Sequence, residues 1–413
     1  MSYAADLHLH SSYAMATSPS ITLEGMAAWA AIKGLDVLAA SDFTHPLWLT
    51  ELKRKLVPAG DGLYALRQPD ARARFMLGTE VSCVYPQDGR SHRLHLLVFA
   101  PDFDAVDRLC VALGPYGNLA SDGRPILRLS GRDVVEAALT ADSRCEVIPA
   151  HAWTPWYSLY GSKGGFDSLA ACFGDMLPHV HAIETGLSSD PAMNWRVAEL
   201  DDLAIVSFSD AHSPARMGRE LTVFAGEPGY ESFREALRSP GVRYTVEFYP
   251  EEGKYHYDGH RKCAVCRHPA QTLELGEHCP VCGRKLTLGV LHRMEALSTR
   301  VSTAVMPGGD RLLHDPSGVR PPFRRLVPLR EIIAEAIRQG PQTKRVDALY
   351  LDLVRAGGSE LAVLERMSPG AIATATGERI AEGVVKARMG DLAIAPGYDG
   401  LYGSVRLWAD TPD

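Results

Sequence analysis

His8 and His10 in "DLHLHSS" flank a single leucine, and Asp210 and His212 in "SDAH" repeat that two-residue spacing. Residues two apart on a strand project to the same side. Each pair can therefore offer two ligand atoms together while Leu7 and Leu9 face a core. Two imidazoles on one side suit one metal ion or a close pair. An isolated His-x-His also suits a polar strand end, so the rest of the chain has to decide.

Other apolar runs end in similar residues. Asp42 and His45 lie in "SDFTH", Glu80 in "GTE" and His151 in "PAHAW", while His95 lies within "RLHLLVFA". With the two opening pairs this makes nine nitrogen and oxygen ligands and no cysteine. Such a set suits Zn²⁺, Mn²⁺ or Fe²⁺. It exceeds the three protein ligands and water of a single catalytic zinc. It fits two or three ions sharing a bridging carboxylate, either Glu80 or Asp210. Metals about 4 Å apart suit in-line displacement at phosphorus, where they activate water and steady the leaving oxygen. Phosphoester hydrolysis is thus the leading chemistry and amidohydrolase chemistry the second. Asp210, Glu80, His8, His10 and His212 are the residues expected to carry it. No Walker A, GxSxG or Rossmann fingerprint competes.

A second constellation is Cys263-x2-Cys266, twelve residues, then Cys279-x2-Cys282. This is zinc-ribbon spacing. Four thiolates leave no open position, so the expected zinc folds a module and does no chemistry. Gly283 stands where the backbone must turn beneath the metal. Tyr255, Tyr257, His260 and Arg261 lie just before or within this region. Aromatic and basic residues so interleaved can stack a base and grip phosphates; a hydrated linker is the alternative. Residues 254–345 hold 16 Lys and Arg against 8 Asp and Glu, although the whole chain carries −7. A basic segment on an acidic body can hold a phosphate backbone.

These residues need elements to position them. The 413 residues are 46% hydrophobic and 23% charged, enough for two or three globular domains. No apolar run approaches the roughly 18 residues that span a bilayer, and no signal-peptide pattern opens the chain, so a cytoplasmic protein is expected. In that setting the paired cysteines point to metal rather than disulfides. Cys83, Cys110, Cys145 and Cys172 read as ordinary thiols. Over the first 225 residues, seven apolar runs end in or contain polar clusters. Helix-like stretches such as "TLEGMAAWAAIKG" and "SGRDVVEAALTAD" lie between several of them. Thr22 and Ser130 are expected N-caps, and Gly34 the first helix's C-cap. Strands alternating with helices predict an α/β fold with a parallel sheet, closed as a barrel whose site lies at the strands' C-terminal ends. The break at "VEFYPEEGKYHYDGHRKC" ends this unit at 248. A cysteine module follows over 249–290, then a mostly helical, DNA-contacting region over 291–413. That region includes a Gly/Pro-rich loop, "MPGGDRLLHDPSGVRPPFRR".

The ordered set HxH, "SDFTH", "GTE", a His-bearing strand, "PAHAW" and "SDAH" resembles the polymerase-and-histidinol-phosphatase (PHP) domain. The resemblance implies a distorted (β/α)7 barrel with a di- or trinuclear metal site that hydrolyses phosphoesters. The second motif departs from the family's usual Asp-His dipeptide, being Asp42-Phe43 with His45 beyond. A histidine often found after the HxH is also missing. Both departures argue for two barrel ions over three.

Adding "ETGLSSDPAMNWR", the four cysteines and "PGYDGLYG", the chain resembles the endonuclease Q family nearly end to end. That resemblance implies a DNA repair enzyme that cuts 5′ of uracil, hypoxanthine, xanthine and abasic sites, leaving a 3′-hydroxyl and a 5′-phosphate. It implies two or three divalent ions (Zn, Mn or Mg) in the barrel and one structural zinc. The expected partner is duplex DNA bearing a damaged base, with replication or repair proteins a further class, no membrane, and a monomer as default. Glu184, Ser188, Ser189, Asp190 and Asn194 are expected to line the pocket for a flipped base or its phosphate, with Arg216 beside them. The alternative for this loop is a helix cap at Ser189 or Asp190. The competing functions are a PHP phosphatase on small monoesters and a non-catalytic zinc-ribbon DNA-binding protein.

Overall fold

The computed structural model describes residues 1–67, 72–306 and 311–409. All seven apolar runs form strands: Ser2–Asp6, Val37–Ala40, Arg74–Gln87, Arg90–Ala100, Glu146–Pro149, Ala182–Glu184 and Ala204–Val206. The first three pair in parallel, in sequence order. The helix Leu23–Lys33 carries the first crossover. The Thr22 side chain accepts from the Gly25 N–H at its start, and Gly34 closes it in the left-handed conformation. Ser130 caps the helix Gly131–Ala141 through a capping box with Asp133.

The all-parallel sheet expected from the sequence is not what forms. Asp88 (φ 50°) and Gly89 (φ 74°) reverse the chain in two residues. Arg74–Gln87 therefore runs antiparallel to Arg90–Ala100, in register from Leu77↔Ala100 to Gln87↔Arg90. An Asp-Gly pair favours such a hairpin because both central residues need positive φ. Glu146–Pro149 is antiparallel to its neighbour as well. The last two runs pair in parallel with each other, and Leu221–Ala225 lies antiparallel to the first strand. The fold is mixed α/β.

Alternation along the strands still sorts the side chains. One buried apolar cluster takes residues from every run, among them Ala5, Val37, Met76, Leu97, Ile148, Ala182 and Val206. A larger cluster lies between the sheet and the helices and reaches Ile332, Tyr350 and Val384 near the C-terminus.

The later part of the chain is mostly helical, including Val290–Leu297, Leu329–Ala336, Lys344–Gly357 and Glu378–Met389. It also completes the main sheet. Val242–Glu247 pairs with Leu221–Ala225 on one side and with Phe323–Arg325 on the other. Of the Gly/Pro-rich loop before that last strand, residues 307–310 lie outside the described residues. Among the described residues no helix is long and apolar enough to cross a membrane.

Candidate metal centres

The His8–His10 segment lies just past the first strand and runs beside Ala211, through the His10 N–H to the Ala211 carbonyl and the Ala211 N–H to the His8 carbonyl. This brings the two opening pairs together. Asp6, wholly buried, secures the junction by accepting from the Ser209 and Gly218 N–H groups at 3.0 and 2.8 Å. His8, His10 and Asp210 form one cluster of ligand atoms, and Glu80, His95 and His151 form a second.

Glu80 joins them. Its Oε2 lies 3.5 Å from His8 Nε2 and 3.3 Å from His10 Nε2. Its Oε1 lies 2.7 Å from His95 Nδ1 and 3.2 Å from His151 Nε2. Asp210 Oδ1 stands 3.1 Å from His10 Nε2 and 3.5 Å from His8 Nε2. Of the two carboxylates offered as bridges, Glu80 spans both clusters. It does so from mid-strand, because Arg74–Gln87 continues seven residues beyond it.

Behind the first cluster stand two more carboxylates. His8 Nδ1 meets Glu184 at 2.9 Å and His10 Nδ1 meets Asp42 at 3.1 Å. This fixes each imidazole with Nε2 facing the centre, the arrangement by which a carboxylate orients a ligating histidine. Asp42 is therefore not placed as a ligand. Its second oxygen accepts the Ser11 N–H at 2.5 Å, so both oxygens are engaged behind His10.

His45 joins neither cluster. It precedes the helix Pro46–Lys55, and its ring stacks on Tyr13 at 4.4 Å. His212 also lies outside both. Its Nδ1–H donates to the Asp210 carbonyl at 2.9 Å, and its ring centroid is 4.6 Å from that of His10.

Charge balance in this buried space is close. Burial disfavours charge on His8 and His10, yet Glu184, Glu80, Asp210 and Asp42 hold both pKa values well above normal. Burial likewise opposes ionisation of Glu80, but His95, Arg124 and His8 keep it well below the usual carboxylate range. Burial wins at His95, which falls to about 4 and is neutral. His95 thus donates its Nδ1–H to ionised Glu80. Arg124 was not foreseen from the sequence; its Nη1 reaches Glu80 Oε2 at 3.1 Å. His8 Nε2 is buried with no hydrogen-bond partner, although two carboxylates face it. An orphaned imidazole nitrogen among carboxylates, in a set of N and O donors, fits divalent cations.

The "ETGLSSDPAMNWR" loop proves to be scaffold. Glu184, Ser189, Asp190 and Asn194 have no exposed surface. Asn194 donates to Ser189 Oγ and the Asp190 carbonyl and accepts from Trp153 Nε1. Asp190 caps the turn Pro191–Asn194 and pairs with Arg325, so the helix-cap alternative holds at Asp190. These polar atoms are occupied by partners inside the protein. Ser188 Oγ is buried and unpartnered. Arg216 lines a cavity of about 570 Å³ with Leu187, Arg219, Lys33 and Arg330.

In the cysteine region the four clustered ligand atoms belong to His260, Cys263, Cys279 and Cys282. Cys266 is exposed and outside the group, which departs from the expected four-cysteine set. Tyr255 meets the half-exposed Trp156 edge-on at 5.0 Å. Tyr257 stacks on His256 at 5.4 Å. The Arg261 N–H donates to Asp399 at 2.7 Å.

The lesion-specific endonuclease PfuEndoQ of Pyrococcus furiosus superposes with a TM-score of 0.84 at 31% identity, over 100% of this chain and 96% of that one. The chain belongs to the endonuclease Q family. Membership makes it an enzyme of the hydrolase class. A second endonuclease Q structure, in complex with a 27-mer duplex substrate with an abasic lesion at the active site, matches with a TM-score of 0.83 at 31% identity, over 100% and 98% of the two chains. Residues 328–391 match the family model of the MJ0043 C-terminal domain. The protein MJ0043 of Methanocaldococcus jannaschii is 32% identical over 62% of this chain; the chain spans about a third of that relative's length, 31%. YqxK of Bacillus subtilis is 28% identical over 97% of this chain and 98% of its own.

Proposed function

We propose that this endonuclease Q family member is a DNA repair endonuclease that cuts the phosphodiester 5′ of a deaminated base (uracil, hypoxanthine or xanthine) or an abasic site. The observation that carries this reading is the end-to-end likeness to an endonuclease Q holding an abasic duplex at its active site. On this reading residues 1–248 are a seven-stranded PHP barrel, 249–290 a zinc-bearing module, and 291–413 a region that helps hold DNA.

His8, His10 and Asp210 would hold one divalent ion, and His95 and His151 a second, with Glu80 shared. Such ions supply an activated water and neutralise charge developing at phosphorus. The water oxygen bonds to phosphorus, the P–O3′ bond breaks, and the 3′-oxygen leaves with a proton, giving a 3′-hydroxyl and a 5′-phosphate. Glu184 and Asp42 keep the two imidazoles aimed. Arg124, beside Glu80, presents its guanidinium to a non-bridging phosphate oxygen. His212 offers its free ring nitrogen for proton transfer. A lesion leaves the stack readily because its pairing is already weak. Trp156 and Tyr255, in edge-on contact, together with the exposed Lys254 next in sequence over the Tyr402 ring, suit phosphates and unstacked bases.

The test uses labelled duplexes bearing one deoxyuridine, deoxyinosine or abasic site, with Mg²⁺, Mn²⁺ or Zn²⁺ and an undamaged control. A nick just 5′ of the lesion, lost in Asp210→Ala, is expected. Hydrolysis of small phosphate monoesters with none of DNA would replace this reading with a phosphatase. DNA binding without cleavage under any metal would replace it with a binding module.

A further inference from the structure

The first cysteine pair does not fold as the second does. After Cys282 the chain turns at Gly283 (φ 71°), so Cys279 and Cys282 stay on one side of the turn. In the first pair the reversal comes earlier, at Ala264 (φ 52°), between the two cysteines. Val265–Arg267 then runs back as a strand, antiparallel to Asp258–His260. The register pairs His260 with Val265 and Gly259 with Cys266. Opposed residues share a face and successive residues alternate. His260 and Cys266 therefore point to opposite faces of the ribbon, and one ion cannot use both.

Two observations say which face carries the site. A Cβ placed on Gly259 would strike the Tyr398 ring, so the Gly259–Cys266 face is turned to the C-terminal Gly/Tyr segment. On the other face, His260 Nδ1 lies 3.6 Å from Cys282 Sγ, and all four ligand atoms of His260, Cys263, Cys279 and Cys282 lie within 4.8 Å of one another. Zinc bonds of tetrahedral geometry place sulfur and nitrogen ligands roughly 3.5–3.8 Å apart. The donor set thus fits the ion with a histidine in place of one thiolate.

We infer that the structural zinc of this chain is held by three thiolates and one imidazole, Cys263, Cys279, Cys282 and His260, and that Cys266 is a free thiol despite its CxxC spacing. This rests on the module binding metal at all, and the test separates the two claims. The full-length zinc-loaded protein is treated with iodoacetamide and mapped by mass spectrometry. Cys266 should be alkylated while Cys263, Cys279 and Cys282 are protected until a chelator is added. In parallel, Co²⁺ replaces zinc and the sulfur-to-cobalt charge-transfer band is read; the barrel ligands include no cysteine, so they add nothing to it. Cys266→Ser should leave that band at full intensity, and His260→Ala should weaken cobalt uptake by at least about tenfold. Protection of Cys266 equal to that of the other three, or loss of about a quarter of the band in Cys266→Ser, would overturn the inference and restore a four-cysteine site. No thiolate band in any form would overturn the metal module itself.

Discussion

At the scale of single residues, the site depends as much on what stands behind the ligands as on the ligands. Glu184 holds His8 Nδ1 at 2.9 Å and also accepts the His151 N–H at 2.7 Å. Replacing Glu184 with Gln should weaken barrel metal binding by about 10–100-fold while the fold survives, the usual cost of losing an orienting carboxylate. A competition titration against a chelator reads this, and unchanged affinity would remove Glu184 from that role. The free protein holds His8 and His10 protonated to unusually high pH. Metal must displace those protons, so barrel affinity should rise with pH and fall on acidification. Calorimetry in buffers of different ionisation enthalpy should show proton release on binding. Arg124→Ala should lower the cleavage rate by about 10²-fold, the cost typical of one lost charge-stabilising donor. Arg124→Lys should retain part of that rate. Equal rates in all three proteins would show that Arg124 only balances Glu80.

At the scale of elements, Glu80 and His95 act from within strands, whereas Asp42, His151 and Asp210 lie just past strand ends. Asp42, His151 and Asp210 all take positive φ, at 63°, 29° and 46°. That conformation costs a non-glycine residue energy, and proteins tolerate it mainly where function needs it. Beneath the site, Glu220 accepts the Leu187 and Phe248 N–H groups, and Glu247 accepts hydroxyls of Thr185 and Ser207. Burial outweighs the N–H groups that favour its charge and lifts Glu220 to about 8. The folded state therefore binds a proton that the unfolded chain releases above its ordinary value near 4.5. The stabilisation is complete below that value and is lost as pH rises through about 8. Urea unfolding at pH 6 and pH 9 should show a decline on the order of a few kcal/mol. Glu220→Gln, which cannot ionise, should flatten the decline, and an identical slope in the variant would assign it elsewhere.

At the scale of the whole molecule, the early and late parts of the chain are built into one another. Lys33, on the first helix, meets Glu360 at 2.6 Å, and both side chains are under a tenth exposed. Glu360 also accepts the Tyr350 hydroxyl at 2.6 Å and the Leu329 N–H at 3.1 Å. Burial alone would raise the Glu360 pKa, but Lys33 and the Tyr350 hydroxyl keep it low. Removing one member of a buried pair strands the other charge, so Lys33→Ala should cost about 3–5 kcal/mol. Guanidinium unfolding measures it, and a loss under about 1 kcal/mol would mean that water reaches the pair. Arg388 performs similar work within the C-terminal helices, donating to the Val363, Leu364 and Met367 carbonyls at the end of Glu360–Glu365.

Sequence alone determined that the seven apolar runs become strands, the caps at Thr22, Ser130 and Gly34, the helical tail, and the two-apart spacing within His8–His10 and Asp210–His212, because these follow from short periodicities and local backbone chemistry; that His8, His10 and Asp210 meet was decided by the fold. The Asp88-Gly89 dipeptide is a hairpin signal, but the alternation of strands and helices pointed instead to a parallel sheet, and the antiparallel pairing there departs from that expectation. Tertiary structure decided the remainder. Asp42 and His45 carry the right atoms for ligands, but only the folded chain puts Asp42 behind His10 and His45 against Tyr13. Glu184 reads as a loop residue until the fold sets it 176 positions away in sequence against His8. Arg124 has no local pattern, because its partner Glu80 lies 44 residues away. The regular CxxC spacing concealed a turn at Ala264 that faces His260 and Cys266 apart. Spacing in sequence fixes which atoms could meet, whereas strand register and the handedness of single turns fix which of them do.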